Sequence, residues 1–170
     1  MAVYLLDTNV ASCLLDVQRK EHAVALDFVR NVGIDSHIYI SCVTVAEIQY
    51  GYKLYPNVDL VRKQVIEQGL NQFHIRNIDR HVAESYSEIK AALFRQFVSK
   101  DKKGRFLKKR PEELIDKTTG KELGIQENDL WIAAIAVQYN LVLVTQDKMK
   151  NIRQVIQKLH PKFQFVSLPN

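Results

Sequence analysis

The chain is poor in cysteine. It has two, Cys13 and Cys42, both among apolar neighbours and with no Cys-x-x-Cys pair between them. That speaks against a thiolate zinc site and predicts buried free thiols in a cytoplasmic protein. Long hydrophobic runs are missing too: none approaches the ~20 residues of a membrane helix, and no membrane partner is expected. No basic segment precedes the apolar run at the start, as it would in a secretory signal. Neither GxGxxG nor GxxxxGK occurs, so no nucleotide cofactor is expected. The five histidines, His22, His37, His74, His81 and His160, show no metal-ligand spacing and are given no catalytic role.

What is present suits a folded domain. The 170 residues are 46% hydrophobic and 25% charged, enough for one domain over 1–170 with a real core. The net charge of +5 is concentrated in one place. Lys100–Arg110 (KDKKGRFLKKR) carries seven basic residues and one acid, so the remainder of the chain is close to neutral.

Strands and helices alternate. Val3–Leu6 is a short apolar run of the kind covered on both faces of a parallel sheet. Asp7 follows it directly. Val10, Cys13, Leu14 and Val17 then keep helical spacing, with Thr8 as the natural cap. His37–Val43 reads as a second strand, and Thr44 opens a helix to about Tyr55, stopped by Pro56. Phe73–Ile78 is a weak edge strand. Asp79 caps a long helix carrying Val82, Ile89 and Leu93. Asn128–Tyr139 is helical, Leu141–Thr145 a buried strand, and Phe163–Leu168 the last strand. Residues from about 99 to 126 break the pattern and read as a basic surface insertion with almost no core residues, apart from a short helix at Pro111–Asp116. The alternation predicts an α/β fold with a mostly parallel sheet and helices on both faces.

Four carboxylates fall at element ends: Asp7 after the first strand, Glu47 and Asp129 in first turns of helices, and Asp147 after LVLVT. Each has a bland account. Thr44-x-x-Glu47 fits a capping box, Asp129 suits a helix dipole, and Asp147 can cap the helix that follows. Asp7 is the hardest to dismiss, because Thr8 is the better cap. If the later strands lie on the other side of the first, Asp7 and Asp147 flank one crevice at the switch point, where ligands bind in open α/β sheets. Four carboxylates that close repel one another, and an oxygen-only set without Cys or His favours Mg²⁺ or Mn²⁺ over zinc.

The segments LLDTNV, TVAEIQYG, NDLWIAAIA and LVTQD, in that order and at element-sized gaps, resemble the PIN-domain nucleases, and within them the VapC-like toxins of type II toxin–antitoxin pairs. The resemblance covers nearly the whole chain. It implies a three-layer α/β/α fold with about five parallel strands in the order 3-2-1-4-5. It also implies Mg²⁺- or Mn²⁺-dependent RNA cleavage, a cognate antitoxin and a homodimer. Asp7 and Asp129 correspond to the principal metal ligands, Glu47 and Asp147 complete the acidic catalytic site, and Asn9 and Thr145 are neutral supporting positions. The long segment between Phe97 and Gln126 departs from the compact pattern.

Within that segment Lys102, Lys103, Arg105, Lys108, Lys109 and Arg110 can neutralise RNA phosphates, and Phe106 can stack on an unpaired base; a solvated loop is the plain alternative. Trp131, beside Asp129, reads as core packing or a subunit contact, and Gly51 as helix packing. Two rival functions stand beside the ribonuclease. One is a haloacid-dehalogenase-like phosphatase with Asp7 as nucleophile, although Asn9 stands where such enzymes use a second Asp. The other is a non-catalytic nucleic-acid-binding regulatory module in which the acids are only caps.

Overall fold

Val3–Leu6 forms β1, the centre of a five-stranded sheet in which every pairing is parallel. Its neighbours are His37–Ser41 (β2) and Val142–Thr145 (β4), and the edges are His74–Arg76 (β3) and Phe165–Ser167 (β5). The order is β3-β2-β1-β4-β5, the one the resemblance implies. The chain builds outward from β1 through β2 and β3, then returns to the other side for β4 and β5. The reversal falls between β1 and β4, whose registers pair Leu5 with Leu143 and Leu6 with Val144. All four of these residues are fully buried. Successive strand residues point to opposite faces, so both faces of β1 and β4 are covered, as their unbroken apolar runs require.

The computed structural model describes residues 2–33, 35–54, 59–116 and 118–169. They fall into two compact units. The first comprises Met1–Asn77, Asn140–Lys148 and Gln164–Asn170. It holds the whole sheet and the helices Thr8–Leu15 (α1), His22–Asn31 (α2), Cys42–Leu54 (α3) and Leu60–Leu70 (α4). Leu6, Val10, Ala11, Ile40, Ile48, Ile66 and Val144 share its core. α4 approaches α1 so closely that a Cβ on Gly69 would lie 2.4 Å from Leu15 Cδ2. The same two helices are tied by an ion pair: Arg62 donates through Nε (3.2 Å) and Nη2 to the carboxylate of Asp16, which is only 4% exposed. Val17, expected on the buried face of α1, lies beyond its end and is exposed. Tyr55 and Pro56, read as the end and stop of the third helix, lie outside the described residues; α3 is described to Leu54. Both cysteines are free, Cys13 buried and Cys42 only half-buried.

The second unit comprises Ile78–Tyr139 and Met149–Phe163. Arg80–Phe97 (α5) is capped as expected, Asp79 accepting from Val82 N at 2.9 Å. It packs on Glu127–Gln138 (α6) and Lys150–Leu159 (α7). α6 buries Leu130 and everything from Ile132 to Ala136, a wider face than the stripe of Ile132, Ala133, Ala136 and Val137 that its sequence spacing suggests. Residues 99–126 are also less of an excursion than expected. Pro111, Leu114 and Ile125 are buried, and the helical piece is a single 3-10 turn, Pro111–Glu113. Two small turns are closed by antiparallel bridges, Lys100 with Phe106 and Ile115 with Glu122. Asp101 and Asp116 accept backbone N–H groups inside them, and Gly104 and Gly120 adopt the positive φ (78° and 69°) that the tight turns need. Asp101, the one acid that interrupts the basic run, therefore organises its backbone. Among the described residues, no helix is long and apolar enough to cross a membrane.

Candidate functional site

Asp7 sits where β1 hands over to α1. Its backbone N–H donates to Val144 O at 2.9 Å, which locks it to β4 at the switch point. Its Oδ1 accepts from Val10 N at 2.9 Å, so Asp7 itself is the N-cap of α1, and Thr8 is not. A cap uses one carboxylate oxygen. The other, Oδ2, is buried and has no hydrogen-bond partner among the described residues. Burial pushes the carboxyl pKa from the ordinary 3.8 to about 6; the Val10 N–H and the neighbouring Thr145 hydroxyl, which faces the carboxyl without forming a well-aligned hydrogen bond to Oδ2, oppose the rise, while the negative charges of Asp147 and Glu47 add to it. Asp7 is thus a desolvated carboxyl with an unmet acceptor and two acidic neighbours.

Thr8, displaced from the cap, has another task. Its hydroxyl donates to Glu47 Oε2 in a short hydrogen bond. The next residue, Asn9, donates from Nδ2 to Asp147 Oδ2 at 2.7 Å. The Asp7-Thr8-Asn9 turn therefore contributes one acid and holds two others from α3 and from the end of β4. Thr145, fully buried, accepts from Asp147 N at 2.9 Å and so fixes the backbone that carries the third acid.

Two bland readings of these acids give way. α3 begins at Cys42, because Ser41 Oγ accepts from Thr44 N at 2.8 Å and starts the helix two residues early. Thr44 is thus not a cap, and Glu47 lies beyond the first turn with no capping box to complete. Asp147 does not cap α7, which starts at Lys150 after Met149 in a left-handed conformation. Asp129 keeps its expected place, third in α6 and half-buried, and belongs to the second unit. The structure brings together Asp7, Glu47, Asp147, Asn9 and Thr145 in the first unit. Among the described residues, no three His, Cys, Asp or Glu side chains converge closely enough to ligate one ion. Glu47 and Asp147 turn instead to the hydroxyl and amide donors of the turn.

Lys102, Lys103, Arg105, Lys108, Lys109 and Arg110 are all exposed on the second unit, with Arg105 paired to Asp101 at 2.9 Å. Phe106 is 42% exposed, packs edge-on against Phe94, and has Lys100 Nζ 5.3 Å from its ring centre. Trp131 stacks on Tyr86, with ring centres 3.6 Å apart, so packing explains it. Thr8 and Thr44 are the residues that sequence reasoning misassigned, each as a helix cap. Nothing in LLDTNV alone says which of Asp7 and Thr8 is the cap.

A parallel sheet whose switch point carries a buried acid, with two further acids held around it, defines an α/β protein with an acidic crevice at the carboxyl ends of its strands. Comparison with known proteins makes the assignment specific: the PIN domain family model matches residues 4–155, and the chain belongs to that family. It is 31% identical over 151 residues to Toxin FitB of Neisseria gonorrhoeae, covering 84% of this chain and 86% of that protein. It is 29% identical over 145 residues to the plasmid stability protein StbB of Pseudomonas syringae pv. tomato, with the same coverage. Among solved structures, FitAcB of N. gonorrhoeae aligns with a TM-score of 0.61 at 26% identity over 97% of this chain and 96% of that one. VapBC2 of Rickettsia felis, bound to a promoter DNA fragment, shares the fold with a TM-score of 0.64 at 20% identity over 98% of each chain.

Proposed function

We propose that this chain is the toxin of a toxin–antitoxin pair and a Mg²⁺- or Mn²⁺-dependent endoribonuclease, with both units acting as one functional domain. The observation that carries the reading is Asp7 Oδ2, a buried carboxylate oxygen with no partner beside two other acids. A helix cap alone does not call for it, since Asn or Ser would cap α1 without leaving a charge in the core. An oxygen-only donor set suits a hard divalent cation. Asp7 and Asp129 would hold it, with Glu47 and Asp147 completing the site. Such an ion supplies charge neutralisation at the phosphate and activation of water.

The chain's own groups do the rest. Thr8 and Asn9 fix the carboxylates of Glu47 and Asp147, one of which takes the proton from the attacking water. Thr145 holds the Asp147 backbone in place. Lys102, Lys103, Arg105, Lys108, Lys109 and Arg110 bind the RNA backbone without reading sequence. An antitoxin restrains the activity, the active form is a homodimer, and the site of action is the cytoplasm. Support for the toxin assignment comes from the relatives' names, and for the metal from the chemistry of the donor set. The phosphatase alternative is disfavoured because Asp7 is 2% exposed and Asn9 is engaged as an amide donor to Asp147.

The test is incubation with total RNA, with and without Mn²⁺, and mapping of cut ends. Metal-dependent cuts that vanish in Asp7→Asn and Asp129→Asn, with the fold intact by circular dichroism, are expected. Full cleavage by Asp7→Asn, with contaminating nuclease excluded, would refute the assignment.

A further inference from the structure

A groove of about 660 Å³ opens beside Glu47, wholly within the first unit. Thr8 and Ser12 of α1, with Asp16 capping its C-terminus, line one wall at four-residue spacing, roughly 12 Å long. Glu47, Gly51 and Tyr52 line the α3 wall. The near end is therefore the acid-holding turn. At the far end, Arg19 and Arg62 gather around buried Asp16: Arg62 is paired to it directly and Arg19 Nε lies 3.8 Å from it. Asp59, also at that end, is spent capping α4, accepting from Val61 N and Arg62 N.

Gly51 is the residue the fold does not explain. It lies inside α3, where glycine is disfavoured. Its φ is not in the left-handed region, and a Cβ built on it would meet nothing within 4 Å. Neither backbone conformation nor helix packing calls for it. What remains is clearance on the groove side.

We propose that this groove seats the RNA strand next to the scissile phosphate, with Arg19 and Arg62 binding a neighbouring backbone phosphate and Gly51 letting the nucleotide pass against the α3 backbone. The proposal rests on the ribonuclease reading and adds specificity-determining residues to it. RNA fits better than a protein segment because the groove starts at the acids, where the phosphodiester must sit, and ends at guanidinium groups. Guanidinium is the side-chain group best matched to phosphate oxygens, and Asp16 preorganises Arg62.

The experiment compares wild type, Gly51→Ala, Gly51→Leu and Arg19→Ala in Mn²⁺ on two substrates: a fluorescein-labelled single-stranded RNA and bis(p-nitrophenyl) phosphate, a diester too small to fill the groove. The RNA KM should climb in the order Gly, Ala, Leu, and the preference for RNA over the small diester should fall about tenfold for Gly51→Leu, comparable to losing one charged contact. Arg19→Ala should raise the RNA KM and flatten the log–log salt dependence of binding by about 0.7, the value for one single-strand phosphate. RNA parameters unchanged across the series would overturn the proposal and leave the groove to a protein partner. Equal losses on both substrates would overturn it too, placing the effect at the acids. Wild type that cleaves neither substrate would instead sink the ribonuclease reading on which the proposal stands.

Discussion

Asp7→Asn should abolish cleavage and at the same time stabilise the metal-free protein. The carboxyl is an ordinary 3.8 acid in the unfolded chain and is raised to about 6 in the fold. Between those values the folded state binds the extra proton, so stability falls as pH rises through that window and stays low above it. The full cost at neutral pH is about 3 kcal/mol. Asparagine keeps the Val10 cap through its amide oxygen and removes the charge. Its amide N–H₂, placed where Oδ2 now has no partner, returns a penalty of about 1–2 kcal/mol. The net gain is about 1–2 kcal/mol, or a Tm roughly 2–8 °C higher for a chain of this size. Thermal denaturation in EDTA at about pH 7.5 and about pH 4.5 measures it. The gap between variant and wild type should narrow by about 2 kcal/mol at the lower pH, where wild-type Asp7 is largely protonated when folded, and this narrowing does not depend on the amide's own penalty. Saturating Mn²⁺ should raise the wild-type Tm and leave the variant's unchanged, since an ion that binds only the folded form stabilises by mass action. A variant no more stable than wild type at pH 7.5, with the same pH slope, would refute the claim that a desolvated charge sits at this position.

Other consequences follow from the same geometry. Arg62→Ala strands Asp16 in the protein interior and should cost about 2 kcal/mol, below the range for fully buried pairs because Arg62 is 39% exposed. The Asp16 carboxyl is held below its ordinary range chiefly by the Arg62 contact, against its own burial. The wild type should therefore lose that contribution as pH falls through the carboxylate range, and urea titrations of the variant should lack that acid limb. Gly51→Ala should stabilise α3 by about 0.5–1 kcal/mol in the same titrations, since helix propensity rises and the new methyl meets nothing. Replacing Lys102, Lys103, Lys108 and Lys109 with Ala should weaken RNA binding at all sequences alike and flatten its salt dependence; an unchanged slope would return residues 99–126 to a solvated turn. Trp131, the single tryptophan, lies two residues from Asp129. Its fluorescence should respond to Mn²⁺ in the wild type and not in Asp129→Asn.

The sheet was legible in the sequence because its strands are short apolar runs delivered straight into acids. VYLL before Asp7 and LVLVT before Gln146 and Asp147 both behave as their composition demands. Element starts were less legible, because Ser, Thr and Asp compete for the same capping geometry. At the first helix Asp7 outcompetes Thr8, and at the third Ser41 outcompetes Thr44; each choice depends on which hydroxyl has a better partner across the fold. Thr8 has one in Glu47, 39 residues away. The 99–126 segment misled for a different reason. Among its described residues the core contribution is three well-spaced ones, Pro111, Leu114 and Ile125, with no period to reveal them.

Asp7 is asked to do two things that pull apart. As a cap it needs one acceptor oxygen, and a neutral amide would serve at lower cost. As the metal ligand proposed above it needs charge, and a desolvated charge at the end of β1 lowers stability until a cation arrives. The same turn limits the damage by placing Thr8 and Asn9, both neutral donors, between Asp7 and the two acids nearest to it. Thr8→Val separates these roles. It leaves the Asp7 cap in place, removes the donor to Glu47 and nearly preserves volume. Glu47, half-buried, then loses a charge-assisted hydrogen bond of about 1.5–3 kcal/mol. Cleavage should fall by about tenfold or more, while the pH slope of stability set by Asp7 persists. If Thr8→Val instead erased that slope and left cleavage intact, Thr8 would be the residue that sets the Asp7 environment, and the division of labour within the turn would be the reverse of the one its hydrogen bonds describe.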